Sequence, residues 1–261
     1  MIILGYIFVS ILIFWAVLVI YLNDFSVPSK LTGEFTSVLI VFPHPDDEAK
    51  SMAGTIKKFT DQGIKVTLLL FSKGERGTPD ASEDLTLKKI RSKEAKVSAK
   101  ILGVRLIHED FGDGVLPKKR TKLTSYLQKI IAKQKPDLVI TYDKSGLYGH
   151  PDHIVVSEII TDLHKKLKKS FKLWYISFPE KILAGKKLPT HMADNPDFAK
   201  HRKHPNMKIW IGHRFITKSK VIGAYKSQFP SYERGLVVPV PNVILWSLFP
   251  WEYFHEVKES L

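Results

Sequence analysis

The chain has 261 residues, 40 Lys and Arg against 26 Asp and Glu for a formal net charge of +14, with 44% hydrophobic and 25% charged residues. That length holds one sizeable domain with a real core, or at most two small ones, and the composition excludes bulk disorder. With no cysteine, disulfides, thiolate metal sites and cysteine nucleophiles are excluded, so any metal must be held by His, Asp or Glu.

The first element is apolar. Residues 2–22, IILGYIFVSILIFWAVLVIYL, carry no charged side chain over 21 positions, enough helix to cross a hydrocarbon core of about 30 Å. Tyr6, Trp15 and Tyr21 suit headgroup contacts or lipid packing. A cleaved signal peptide fits poorly: no Lys or Arg precedes the run, the run is too long, and no A-x-A site follows. The expectation is one retained transmembrane helix over 2–22, a polar linker over 23–35 and a folded domain over 36–261. All basic residues follow the helix, which favours a cytoplasmic domain. The cationic surplus favours an anionic membrane surface as partner. No nucleic-acid-binding motif accompanies it, so no nucleic acid is expected.

Beyond the linker the pattern alternates. SVLIVF (37–42) reads as a buried strand, 48–62 as a helix closed by Gly63, and KVTLLLFS (65–72) as a second strand. A helix over 85–102 stops at Gly103. VRLIHE (104–109) reads as a strand, 121–134 as a helix, DLVITY (137–142) as a strand, 151–169 as a helix and KLWYISF (172–178) as a fifth strand. Strands alternating with helices predict an α/β fold, a Rossmann-like doubly wound, mostly parallel sheet. The stretch 179–214 is irregular, basic and rich in Pro and His. In 235–254, Pro239, Pro241 and Pro250 forbid a second spanning helix, and core or substrate-wall packing is expected there rather than contact with a membrane interface.

Two polar clusters sit at strand ends. PHPDDE puts His44, Asp46, Asp47 and Glu48 directly after the first strand, and YGHPDH puts His150, Asp152 and His153 after the fourth. In a doubly wound sheet these two strands flank the point where strand order reverses, which is where ligands bind. Capping of a helix N-terminus explains one acid but not His44 or three adjacent carboxylates, so a metal site is favoured. Two histidines and a carboxylate suit zinc with an open position for water, and a second carboxylate can take that water's proton. Asp46/Asp47 and His150/His153 each offer one residue to ligate and one for proton transfer. The other H-x-x-H pair, His201 and His204, lies among cations and reads as a solvated loop.

PHPDDE, SKGERGTP, DFGDGVL and YGHPDH together resemble the PIG-L/LmbE zinc-dependent de-N-acetylases over about residues 36–157, with weaker echoes in YKSQ (225–228) and EYF (252–254). The resemblance implies a Rossmann-like fold and removal of the acetyl group from N-acetylglucosamine-type sugars. Carried over by motif, His44, Asp47 and His153 would ligate zinc, Asp46 would be the general base, and His150 would stabilise the tetrahedral intermediate and protonate the leaving amine. Tyr148 would stand on the oxyanion side and Arg76 would touch substrate. Asp113 and Asp152 would orient histidines from behind. The family commonly has histidine where Tyr225 stands, which leaves that position without an expected role.

The expectation is thus a membrane-anchored, zinc-dependent hydrolase acting on an N-acetylated sugar or glycolipid, with another divalent metal as an alternative cofactor. A membrane-tethered glycan- or lipid-binding module with an idle metal site is the second reading. The sequence carries no signal for an oligomeric state.

Overall fold

The computed structural model describes residues 2–77, 82–168, 170–180, 196–228 and 240–258. Five strands, β1 (Ser37–Phe42), β2 (Lys65–Leu70), β3 (Arg105–His108), β4 (Leu138–Tyr142) and β5 (Lys172–Ile176), lie parallel in the order β3-β2-β1-β4-β5. Each is an apolar run because both faces of a parallel sheet are covered. Ile40 and Phe42 point to one face, and Leu39 and Val41 to the other, all fully buried. The first face is covered by α2 (Asp47–Asp61), α3 (Leu85–Leu102) and α7 (Phe215–Ala224), and the second by α4 (Arg120–Gln134) and α6 (Pro151–Lys166).

The predicted helix over 85–102 has these bounds because its ends are chemically marked. The Asp84 carboxylate accepts from the Thr86 and Leu87 amides, and Gly103 turns left-handed at φ 73°. Helix α6 begins with Pro151, and His150 caps it. β1 and β4 are neighbours, as the doubly wound reading requires, so both polar clusters emerge at one switch point.

The carboxyl-terminal part of the chain departs from the sequence reading. Within the stretch expected to be irregular lies β6 (Met207–Trp210), and the apolar tail supplies helix α8 (Asn242–Ser247) and β7 (Trp251–Glu256). β7 runs antiparallel to both β5 and β6 and extends the sheet to seven strands. Residues 181–195 of that stretch, and 235–239 of the tail, lie outside the described residues, as do Thr78 and Pro79 of SKGERGTP. β7 is tied to α2 at a break in the helix. Met52 leaves helical geometry (φ −153°, ψ 23°), and the buried Glu252 carboxylate accepts from the Gly54 and Thr55 amides at 3.1 and 2.7 Å. Lys218 neutralises it at 2.7 Å.

Helix α1 (Ile2–Leu22) is long and apolar enough to cross a membrane by length and composition, and Val19 is its one buried described residue. The segment expected as a linker runs bound along the sheet. Asn23 donates to Leu248 O, the Asp24 amide to Tyr253 OH, and Ser29 bridges Lys208. Lys30 pairs with Glu256 at 2.7 Å.

One group near the crevice makes the fold acid-sensitive. His108, at the end of β3, donates from Nε2 to Ser72 O at 2.8 Å. Burial, with Lys73 beside it, lowers its pKa to about 4. The unfolded imidazole takes a proton near pH 6.5 and the folded one does not until about pH 4, so this contribution is present above pH 6.5 and lost as pH falls toward 4. His108→Gln keeps the donor and removes the titration. Between pH 7 and pH 4.5, wild type is expected to lose up to about 3 kcal/mol relative to this variant in urea unfolding. Parallel pH curves would show that His108 is not the responsible group.

Candidate metal centre and active site

The cluster forms because β1 and β4 deliver their following loops to one crevice. Asp46 turns the chain from β1 into α2 in a left-handed conformation, φ 91°, which aspartate tolerates better than most residues. The next residue, Asp47, accepts from the His44 amide at 3.0 Å through Oδ2. Its Oδ1 accepts from Tyr142 OH at 3.0 Å. His153 enters from the first turn of α6, fully buried, its ring stacked on Tyr142 with centroids 4.4 Å apart.

Three donor groups then converge. His44 Nδ1 lies 3.2 Å from His153 Nε2 and 3.7 Å from Asp47 Oδ2, and His153 Nε2 lies 3.5 Å from Asp47 Oδ1. Two ligands about 2.0–2.1 Å from a tetrahedral zinc stand roughly 3.3 Å apart, a spacing close to that of these candidate donors. The donor set is short of positive charge: burial, opposed by His44, leaves the Asp47 carboxyl raised to about 6. Burial, with His150 and His44 adding to it, lowers His153 well below the usual imidazole value, which keeps its lone pair available.

The other side of His44 is held by acids. Its Nε2 lies 3.0 Å from Asp113 Oδ1 and 3.1 Å from Asp152 Oδ2, so Nε2 carries a proton directed at them while Nδ1 faces the cluster. Burial alone would lower the His44 pKa, but Asp113, Asp152 and Asp47 reverse this and raise it well above the usual value. Both outer carboxylates are themselves fixed by backbone amides. Asp152 accepts from Gly114 and Leu116 at 2.8 and 3.1 Å, and Asp113 from Arg76 at 2.9 Å. Gly112 and Gly114, at φ 89° and 73°, make the turn that presents Asp113.

Asp46 is gripped by Lys50 at 2.9 Å and Arg91 at 3.2 Å. Burial would raise its pKa, but these two cations bring it below the ordinary value, so the carboxylate is ionised at neutral pH. His150 Nδ1 accepts from the Asp152 amide at 3.2 Å, which assigns the neutral ring's proton to Nε2. A His150 nitrogen lies within 4.8 Å of donors on His44 and His153. The Tyr148 ring is 5.2 Å from His153 and 6.2 Å from His150. Arg76 is exposed and lines an adjoining cleft of ≈ 290 Å³ with Glu75, Lys88, Asp110, Asp113 and Lys119.

Each residue given a candidate role in the site therefore lies at or beside one crevice. Two that matter were missed. Tyr142 stood unremarked inside TYDKSGLYGHPDH. Arg91 sits in mid-helix among lysines, yet its guanidinium is buried and donates to Gly74 O and Pro45 O. The local signal was glycine: a Cβ on Gly74 would meet Arg91 Cζ at 2.5 Å. Tyr225 has a partner too, its hydroxyl donating to the buried Glu48 at 2.5 Å. Tyr142→Phe removes a donor to Asp47 but keeps the stack on His153. It is expected to weaken metal binding by about tenfold, read by competition with a chelating dye, and unchanged affinity would show that the hydroxyl does not position Asp47.

The PIG-L family profile, GlcNAc-PI de-N-acetylase, matches residues 39–164, the span that holds both clusters. Over that span the chain resembles the PIG-L family. Among curated relatives it is 45% identical over 126 residues to diacetylchitobiose deacetylase of Thermococcus kodakarensis, covering 46% of each chain. It is 32% identical over 184 residues to the 1D-myo-inositol 2-acetamido-2-deoxy-alpha-D-glucopyranoside deacetylase of Corynebacterium glutamicum, covering 60% of this chain and 61% of that one. The chain thus spans about half the length of the curated relatives it matches. Among solved structures, N,N'-diacetylchitobiose deacetylase from Pyrococcus horikoshii superposes with a TM-score of 0.61 at 27% identity, covering 86% of this chain and 84% of that one. The chain shares with it the mixed α/β architecture of a mostly parallel sheet.

Proposed function

We propose that this chain is a metal-dependent de-N-acetylase of N-acetylglucosamine-type sugar conjugates, anchored in a membrane by α1. The observation that carries the reading is the triangle of His44 Nδ1, His153 Nε2 and the Asp47 carboxylate, with edges of 3.2–3.7 Å, beside a separate ionised acid, Asp46. In this reading His44, Asp47 and His153 hold zinc or a similar divalent ion, and Asp113 and Asp152 orient His44. Such an ion supplies a Lewis acid for the amide carbonyl and lowers the pKa of water in its open position.

The chain's own groups do the rest. Asp46 takes the proton of the attacking water, and Lys50 and Arg91 keep it ionised for that role. His150 steadies the developing oxyanion through Nε2–H and, once protonated to the imidazolium, delivers a proton to the departing amine nitrogen. Tyr148 closes the oxyanion side, and Arg76 meets substrate from the neighbouring cleft. The alternative of an idle, binding-only site has no support in the residues, because the base, the ligands and the acid are all present.

The membrane part of the proposal rests on α1 and on the basic surplus, which favours an anionic leaflet and a cytoplasmic domain. A chain lacking residues 1–22 is expected to leave the membrane fraction for the soluble one. Retention of the truncated chain on membranes would remove the anchoring role. The activity is tested by acetate release from a panel of soluble and lipid-linked N-acetylglucosamine conjugates, with and without chelator. Chelator-sensitive acetate supports the reading. No acetate from any conjugate by the zinc-loaded chain would overturn it in favour of the binding module.

A further inference from the structure

The described part of the tail is amphipathic in its packing: Trp246 sits against the hydrophobic core, while the neighbouring edge of α8 faces away from it. Between Arg234 and Glu252 there are 17 residues without a charge, and in the described part Val243 and Ile244 of α8 are 41% and 52% exposed. One side of α8 packs on α7, where Lys218 Nζ lies 4.7 Å over the Trp246 ring, and another side meets the apolar helix α1. Trp15 Nε1 donates to Ser247 Oγ at 3.0 Å, and Asn23 Nδ2 donates to Leu248 O at 2.7 Å. These two bonds fix α8 alongside the last two turns of α1.

Those turns are themselves lipid-facing in composition. Val17 and Ile20 are 55% and 64% exposed, and the first charged residue is Asp24. Trp15 lies seven residues before Leu22, about 10 Å along the helix axis. A hydrocarbon layer deep enough to cover Val17 and Ile20 therefore also covers Ser247. A level for the water boundary is marked lower down, where Lys208 Nζ binds Asp24 O and lies 5.0 Å over Phe25 and 5.2 Å over Trp251.

On these grounds we infer that α8 is immersed in the membrane leaflet beside α1, its Val243–Ile244 edge facing acyl chains. This rests on the reading of α1 as a membrane anchor. The polar backbone tolerates immersion: the Ile244 and Leu245 amides bond Pro241 O, those of Leu248 and Phe249 bond Leu245 O and Trp246 O, and Ser247 Oγ donates to Ile244 O. Register shows where this places the site. Phe254 pairs with Ile176 at the carboxyl end of β5, so Trp251, paired with Trp210, lies beyond that end. The metal crevice opens at this same end of the sheet, and the domain lies against the bilayer with the crevice toward it.

The chain has no cysteine, so single cysteines can be labelled cleanly. The full chain carrying Phe8→Cys, Ile244→Cys or Lys133→Cys, each with an environment-sensitive fluorophore, is reconstituted in phosphatidylcholine–phosphatidylglycerol vesicles. Lys133 is exposed in the last turn of α4 at the opposite end of the sheet. Lipids bearing a nitroxide on the upper acyl chain are then added as quenchers. The label at 244 is expected to be quenched about twofold or more and blue-shifted, as at position 8 but with shallower nitroxides favoured, and the label at 133 to be unaffected. Quenching at 8 but not at 244 overturns the immersion of α8 and leaves the anchor standing. No quenching at either overturns the anchor reading and the inference with it.

Discussion

Asp46→Asn is expected to lower kcat for acetate release by about 10²- to 10⁴-fold while the bound metal stays. The expectation comes from the separation of roles between two adjacent acids. Asp47 faces His44 and His153, whereas Asp46 faces Lys50 and Arg91. Asparagine matches aspartate in shape and shares its tolerance of the left-handed conformation at φ 91°, so the turn into α2 survives. Alanine would confound the test with backbone strain. Since Asp46 is held ionised by its two cations, the amide removes a proton acceptor that is available at neutral pH. Metal content by mass spectrometry and rate by acetate release are read on the same sample. Loss of metal along with activity would make Asp46 a ligand, and near-wild-type turnover would show that another group takes the proton.

The second large effect is at His44. Its ring is the one side chain common to both groups of His and Asp donors among the described residues, His44–His150–His153 and His44–Asp113–Asp152. His44→Ala removes a proposed ligand on one side and leaves Asp113 and Asp152 facing a gap on the other, so loss of the ion and of detectable hydrolysis is expected. Asp152→Asn separates the two functions. It spares the donors that face the ion and weakens only the hold on Nε2, with an expected 10- to 100-fold fall in metal affinity. A His44→Ala chain that retained one tightly bound ion would place the metal elsewhere. An Asp152→Asn chain with unchanged affinity would make that carboxylate purely a brace for the Gly114 and Leu116 amides.

Much of this arrangement is legible in the sequence because parallel strands buried on both faces leave unbroken apolar runs. Val38–Phe42 and Leu138–Tyr142 mark β1 and β4, and the polar residues that follow each run fall at the switch point. The antiparallel closure was not legible. MKIW and WEYFHE are short and mixed, and they pair across forty residues of intervening chain, so nothing local states their partnership. Arg91 shows the same limit at the site. In α3 it has the periodicity of an ordinary surface cation, and only the fold brings Asp46, Gly74 and Pro45 around it. The tail is harder to read, because composition does not distinguish an apolar side chain facing protein, such as Trp246, from one left exposed, such as Ile244.

The central claim is that one divalent ion, held by His44, Asp47 and His153, is what makes this chain hydrolyse an acetamido sugar. It is tested most directly by stripping the detergent-solubilised chain of metal and titrating zinc back while following acetate release from an N-acetylglucosamine conjugate. The account predicts that activity rises linearly and saturates at one ion per chain, with no such rise in His44→Ala. Acetate release that is undiminished in the stripped chain and indifferent to added zinc would contradict it.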